Sequence, residues 1–433
     1  MRRDVTPLSA DVFADLMRDF TPSFEGRRVA VAVSGGPDSM TLAFCAKRWS
    51  DQQKAPPPLA FIVDHALRDE SAAEAAMVRQ RLTALGITAE ILRWDHPPIT
   101  SRLHSEARKA RYRLLLDACH RHGIDALLFA HQREDQAETI LMRLAKGTGI
   151  DGMAGIPAQS IMDGVRILRP FLKVPKESLI ATCNAASVDF VTDPSNALQK
   201  FARGRLRRVM PLLAEEGLTV DRLVDGAARA AEARDALEHY TAALLRDGCR
   251  QDAWGVLHLD IAALTAAPRA IALRALSLAL QAIHAEDYAP QHASVSALFD
   301  ALQTHEMMPP RTLQGCLISR NKQRVTIMRE FSNITHAPSI QLGESVEWDG
   351  RWWVRLQEMP QGQSALLTIK PLGHAQRDVL DRLAPTLRHK VPQGRVRASL
   401  PALWRGDELV GIPFLGARNI AKAELLPFGA PKT

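Results

Sequence analysis

A hydrophobic run that stops dead at two glycines constrains this chain more than any other stretch. In VAVAVSGGPDSM (residues 29–40), valines and alanines give way to Ser34-Gly35-Gly36-Pro37-Asp38-Ser39, and helix-forming residues follow. A strand that is apolar on both faces needs a sheet covered on both sides, which is the setting of parallel β-structure. The pattern recurs. PLAFIVDH (58–65), AEILRW (89–94) and DALLFAHQ (125–132) read as further strands, and Asp38 to Trp49, Ser71 to Leu85, Ser105 to Arg121 and Glu134 to Lys146 as the helices between them. Gly86 sits where a helix C-terminus wants a left-handed residue. Such alternation predicts βαβ units around a parallel sheet, with ligands at the carboxyl ends of the strands. Three of those ends carry SGGPDS, Asp64-His65 and His131, so polar chemistry converges on one edge.

The bend itself suits an anion. Paired glycines let backbone N–H groups approach without a Cβ in the way, and the next helix adds its positive N-terminal end. Ser34 and Ser39 carry hydroxyl donors, and Pro37 fits a first helical position. The plainer alternative is a tight βα turn in which Asp38 only caps the helix; the complete SGGxDS after a buried strand favours phosphate. No GxxxxGK[ST] is present, so the loop lacks a phosphate-binding lysine, and GTGIDG (147–152) follows a helix, which fails the context of a dinucleotide fingerprint. In HQREDQAET, His131, Asp135 and Glu138 are spaced i, i+4, i+7 and share one face if a helix begins near His131. Carboxylates there would suit Mg²⁺ against phosphates, although acids also simply favour helix starts.

At 433 residues the chain predicts two or three domains. Residues 219 to about 305 read as helical, 311–328 as strands, HAPSIQLG (336–343) as a linker, and the last hundred residues as hairpins turning at Asp349-Gly350 and near Gly406-Asp407. Trp348, Trp352, Trp353 and Trp404 lie in these strands, where core packing is favoured over base stacking. A net charge of +7 and a pI near 9.3 point to a polyanionic partner such as RNA. Cys45, Cys119, Cys183, Cys249 and Cys316 are scattered without a CxxC pair, as expected of reduced thiols in a cytoplasm. No apolar run suits a membrane span, and the N-terminus has no secretory core; the expectation is a cytoplasmic protein with no membrane partner.

SGGPDS resembles the PP-loop of N-type ATP pyrophosphatases, which cleave ATP between its α and β phosphates and place AMP on a carbonyl oxygen. HQREDQAETILMRLAKGTGIDGMAGIP, FIVDHALRDES (61–71), SEARKARYRLL (105–115), VTDPSN (191–196), FARGRLRRVMPLL (201–213) and the closing VPQGRVRASLPALWRGDELVGIP together resemble the tRNA(Ile)-lysidine synthetase family over essentially the whole chain. Glu134 departs from a usual aspartate, Gly204 from asparagine and Phe201 from tyrosine. The resemblance implies an α/β fold: a Rossmann-like parallel-sheet PP-loop domain (1–217), a mainly helical domain (218–332) and a small α+β C-terminal domain (333–433). It implies a ligase using ATP, Mg²⁺ and L-lysine to modify the wobble cytidine of tRNA(Ile) with a CAU anticodon, and leaves a homodimer open. Catalytic roles fall to Asp38, His131, Asp135 and Glu138, with Asp38 and Asp135 on the metal. ATP falls to Ser34, Gly35, Gly36, Pro37, Asp38, Ser39, Asp64, His65, Gly147 and Gly149. Arg108, Arg111 and Tyr112 offer tRNA charge plus a stacking face, and Arg203, Arg205, Arg207 and Arg208 offer phosphate contacts. The rivals are a tRNA thiolase, an amide-forming ligase of the NAD or GMP synthetase kind, and a non-catalytic RNA binder on a relic nucleotide fold.

Overall fold

The computed structural model describes residues 5–20, 26–97, 103–191, 202–284, 289–358, 366–373, 392, 394–413 and 421–428. TDPSN (192–196) and Phe201 lie outside the described residues. The chain divides into two compact units, Met1–Arg234 and Asp235–Lys432.

The first unit runs α1 (Ala10–Arg18), β1 (Ala30–Val33), α2 (Pro37–Gln52), β2 (Leu59–Asp64), α3 (Ser71–Ala84), β3 (Thr88–Arg93), α4 (Leu103–Arg121), β4 (Ala126–Leu128), α5 (Arg133–Leu144), α6 (Ile150–Met153), β5 (Gln159–Met162), β6 (Val165–Leu168), α7 (Lys176–Ala185) and α8 (Ala202–Glu215). Helix α9 (Val220–Gly248) follows and contains the division between the units. The sheet order is β3-β2-β1-β4-β6-β5, parallel except for the antiparallel edge strand β5. Side chains alternate across it. Val31 and Val33 join Ala60 and Ile62 in a core shared with α1, α2, α3 and α7. Ala30, Leu59 and Phe61 face the opposite way, onto Leu115 and Cys119 of α4. Both faces are thus covered, as the uninterrupted apolar strands require. Strand order reverses between β1 and β4, so the SGGPDS bend lies at a topological switch point, flanked by the ends of β2 and β4.

The second unit continues with β7 (Cys249–Gln251), β8 (Leu257–Asp260), α10 (Ile261–Ala266), α11 (Arg269–His284), α12 (His292–Thr304), β9 (Met308–Leu313), β10 (Cys316–Asn321) and β11 (Arg324–Arg329). The five strands form one sheet, β7-β8-β11-β10-β9, whose core includes α11 and α12. Strands β7 and β8 interrupt the stretch expected to be wholly helical, because Leu257 and Leu259 bury themselves beside β11. Next come β12 (Ser339–Gln341), β13 (Ser345–Trp348), β14 (Trp352–Leu356), β15 (Leu366–Pro371), β16 (Pro401–Arg405), β17 (Glu408–Gly411) and β18 (Ala421–Leu425), in sheets β12-β15-β16-β17 and β13-β14-β18. HAPSIQLG is therefore not a linker: Ile340 is fully buried, and β12 pairs with β15. The first hairpin turns through Asp349 (φ 51°) and Gly350 (φ 59°), the doubly left-handed turn that suits strand twist. Trp348 and Trp352 are core residues, 0% and 1% exposed. Asp349 is buried at that turn, taking Arg329 Nη2 at 3.0 Å on one oxygen and Arg351 Nε at 2.8 Å on the other.

Candidate active site

The bend is a closed loop. Ser39 Oγ accepts from Ser34 N at 3.1 Å and donates to Gly36 O, and Ser34 Oγ lies 3.3 Å from it. The two hydroxyls expected to meet phosphate thus shape the loop first, with Ser39 buried and Ser34 exposed. Gly35 has φ +83°, and a Cβ there would stand 2.5 Å from Val78 Cγ2, so no side chain fits. Pro37 opens α2 at its first position and Asp38 follows in the first turn. Met40 N donates to Gly36 O at 3.0 Å, and the N–H groups at a helix start before that bond are the ones available to an anion.

Asp38 Oδ1 is buried with no hydrogen-bond partner among the described residues. Burial, reinforced by Asp135 and Glu134 and opposed by Lys176 and Arg207, pushes its carboxyl up to about 6. An orphaned carboxylate oxygen among other acids fits a hard divalent cation. Among the described residues no group of three His, Cys, Asp or Glu side chains encloses a metal. Magnesium needs no such cage, since it keeps waters and phosphate oxygens beside one or two carboxylates.

Helix α5 starts at Arg133, one residue before the expected Glu134 and not near His131 as a shared face would need. Gln132 is its N-cap: Oε1 accepts from Glu134 N at 2.5 Å, and Asp135 Oδ2 accepts from Gln132 N at 3.2 Å. His131 therefore precedes the helix and does not share a helical face with Asp135 and Glu138. Its ring instead stacks on Phe129 at 5.7 Å. Burial first, then Arg169, Arg111, Arg203 and Arg108, pushes it down to about 3, so it stays neutral at physiological pH. Glu138 is also differently employed. Its side chain is 3% exposed and paired with Arg207, Nε to Oε1 at 2.5 Å, with Arg203 at 3.9 Å. Arg207 is thus tied to a buried carboxylate although, like Arg205 and Arg208 on the same helix, it is exposed.

Tyr112 cannot offer the stacking face expected of it. The residue is 8% exposed, its ring stacked on Phe129 at 5.4 Å with Arg108 and Arg111 at 5.1 and 5.6 Å from its centroid. Asp64, at the end of β2, is buried and accepts from Ala66 N at 2.9 Å. His65 stands edge-on to Trp94, its basicity lowered by burial and Arg111. Gly147 and Gly149 lie in the segment between α5 and α6. They follow the C-terminal end of α5, roughly 14 Å of helix beyond Asp135.

Glu134, marked in the sequence only as a departure, meets a residue the sequence did not mark, Lys176. Glu134 Oε2 accepts from the backbone N–H of Lys176 at 3.0 Å, joining the starts of α5 and α7. A cavity of about 260 Å³ opens there, lined by Gln132, Glu134, Glu138, Lys176, Arg207, Met210 and Val220. Local sequence marks Lys176 only as a helix start after Pro175; its target lies on α5, 42 residues away.

Residues 9–213 match the family model of the PP-loop domain. The chain is 34% identical over 402 residues to the tRNA(Ile)-lysidine synthase of Ruegeria pomeroyi, covering 92% of this chain and 91% of that one. It is 44% identical over 295 residues to the enzyme of that name from Methylobacterium nodulans, covering 65% and 83%. For that of Rhodopseudomonas palustris the figure is 39% over 318 residues, covering 69% and 90%. A phosphate bend at the switch point of a parallel sheet, and similarity that runs nearly end to end, agree: the chain belongs to the tRNA(Ile)-lysidine synthase family.

Proposed function

We propose that the chain ligates L-lysine to C2 of the wobble cytidine of tRNA(Ile) with a CAU anticodon, consuming ATP to AMP and pyrophosphate and changing codon reading from AUG to AUA. The observation that carries this is the loop at the end of β1: bare amides, no lysine, and an unpartnered Asp38 oxygen. In the first step the cytosine O2 attacks the α phosphorus and pyrophosphate leaves. In the second, the lysine ε-amine displaces AMP at C2.

Donors preorganised where charge develops accelerate such a step. Gly35, Gly36 and the first turn of α2 supply them, and Asp38 with Asp135 would hold Mg²⁺, which when bound neutralises phosphate charge. Asp64 and His65 flank the loop at the end of β2 and take the nucleoside side. Free lysine arrives protonated, its amine pKa near 10.4, and must lose that proton before attack. Glu138 is already balanced by Arg207, so Asp135 is the acid that meets the ammonium. Pyrophosphate release measured with lysine, with and without the tRNA transcript, tests the whole reading. Release of AMP and pyrophosphate only with the transcript supports it, and ADP formation rejects it. In Asp135→Ala, a normal rate of lysine transfer onto pre-adenylated tRNA would remove Asp135 from the second step.

Arg205 and Arg208 on α8 make phosphate contacts, with Arg108 contributing charge from α4. Reversing both to Glu is expected to weaken tRNA binding and to reduce the slope of log affinity against log salt by about 1 to 2. Binding isotherms at several salt concentrations check this, and an unchanged slope places the tRNA elsewhere. Against the thiolase alternative, all five cysteines are buried. Burial pushes Cys45, Cys119 and Cys316 up to about 12, far from a reactive thiolate. Among the described residues no helix is long and apolar enough to cross a membrane.

A further inference from the structure

When the α phosphorus changes partners, the electron pair of the bridging bond stays on the departing pyrophosphate, which gains a full negative charge. A loop of amides supplies dipoles for that charge but no cation, and SGGPDS contains no lysine. The cations acting on Asp38 are Lys176 and Arg207. Arg207 is committed to Glu138. The ammonium of Lys176 makes no hydrogen bond or ion pair among the described residues. Its backbone is nonetheless fixed, because the N–H that opens α7 is held by Glu134 Oε2 at 3.0 Å. Its side chain lines the cavity shared with Gln132, Glu134 and Glu138. A positive group with an anchored base, no partner among the described residues, and Asp38 within its field is placed for an anion that arrives and leaves.

We propose that Lys176 is the pyrophosphate-binding residue of this site, supplying from the start of α7 the cation that the loop itself lacks. The inference rests on the function proposed above and assigns one residue within it. Lys176 holds the β and γ phosphates in the ground state and takes up the charge that develops as pyrophosphate departs; no proton transfer is required. The same geometry explains Glu134. An aspartate there is one methylene shorter, and Glu134 reaches across from α5 to tether the segment that carries the lysine.

The test uses pyrophosphate itself. In Lys176→Met the inhibition constant for pyrophosphate and the KM for ATP are both expected to rise by at least about tenfold, as for one lost charge-assisted hydrogen bond. Inhibition by AMP and the KM for lysine stay unchanged, and Lys176→Arg recovers most of the loss. Titration of pyrophosphate into the ligand-free protein gives the same comparison without turnover. Unchanged pyrophosphate inhibition in Lys176→Met overturns the assignment. So does a selective rise in the KM for lysine, which would place the amino-acid carboxylate on Lys176, or an equal loss of AMP and pyrophosphate binding with a lowered melting temperature. If the wild-type protein yields ADP, the proposed function has failed; if it yields AMP and pyrophosphate while Lys176→Met binds pyrophosphate normally, only this inference has.

Discussion

Replacing Asp38 by asparagine is expected to slow tRNA-dependent pyrophosphate release by about 10²- to 10³-fold and yet to raise the melting temperature of the ligand-free protein above pH 6. The two effects share a cause. In the fold the carboxyl is held at about 6, against 3.8 for the free group, chiefly by burial and then by the neighbouring acids. The folded state therefore favours the protonated acid. Below pH 3.8 the group imposes no penalty, because it is protonated in both states. As pH rises through 6 the fold must accommodate the charge, and stability falls. Asparagine mimics the protonated acid and removes that penalty, at most about 3 kcal/mol, and less where water still reaches the half-buried group. Melting curves in EDTA at pH 5 and pH 8 separate the possibilities. An Asp38→Asn protein that melts lower at pH 8, or that keeps its activity, would show that Asp38 is a structural cap.

Gly35→Ala is expected to act in the opposite manner, losing stability and ATP binding together. The new Cβ would press on Val78 Cγ2 at 2.5 Å in a backbone that holds φ at +83°. Overpacking costs about 1–3 kcal/mol and a left-handed non-glycine residue about 1–2 kcal/mol, so a loss of about 2–5 kcal/mol follows. Adding Val78→Ala removes the clash and leaves the dihedral strain, so the double variant should regain about half of that. Denaturant midpoints of the single and double variants decide it. Full recovery would show that φ is unimportant, and no recovery would show that α3 does not press on the loop.

The parallel sheet was legible because it is written in periodicity. Strands apolar on both faces admit few alternatives, and the bend after Val33 announced the ligand edge. What escaped reading depends on pairs far apart in sequence. Gln132 is not among the favoured capping residues, so nothing local marked it as the cap that leaves His131 outside the helix. Arg207 looked like its neighbours on α8, and only the fold shows it paired with the buried Glu138. Tyr112 beside two arginines has the composition of a nucleic-acid face, but α4 turns it onto Phe129. Lys176 gave no signal at all, because its environment is made by α5 and α8.

In the second unit, the Arg329–Asp349–Arg351 triad bears on how the chain can be shortened. One carboxylate balances two guanidinium groups that are almost sealed from water, so neither arginine tolerates its removal. Arg329 closes the five-stranded sheet, while Asp349 sits in a hairpin twenty residues later. Cutting the polypeptide at 332, where composition suggests a natural joint, would strand a cation inside an apolar wall. The segments on either side of that point are therefore one inheritance rather than two modules, and a fragment meant to dissect tRNA recognition should keep them joined.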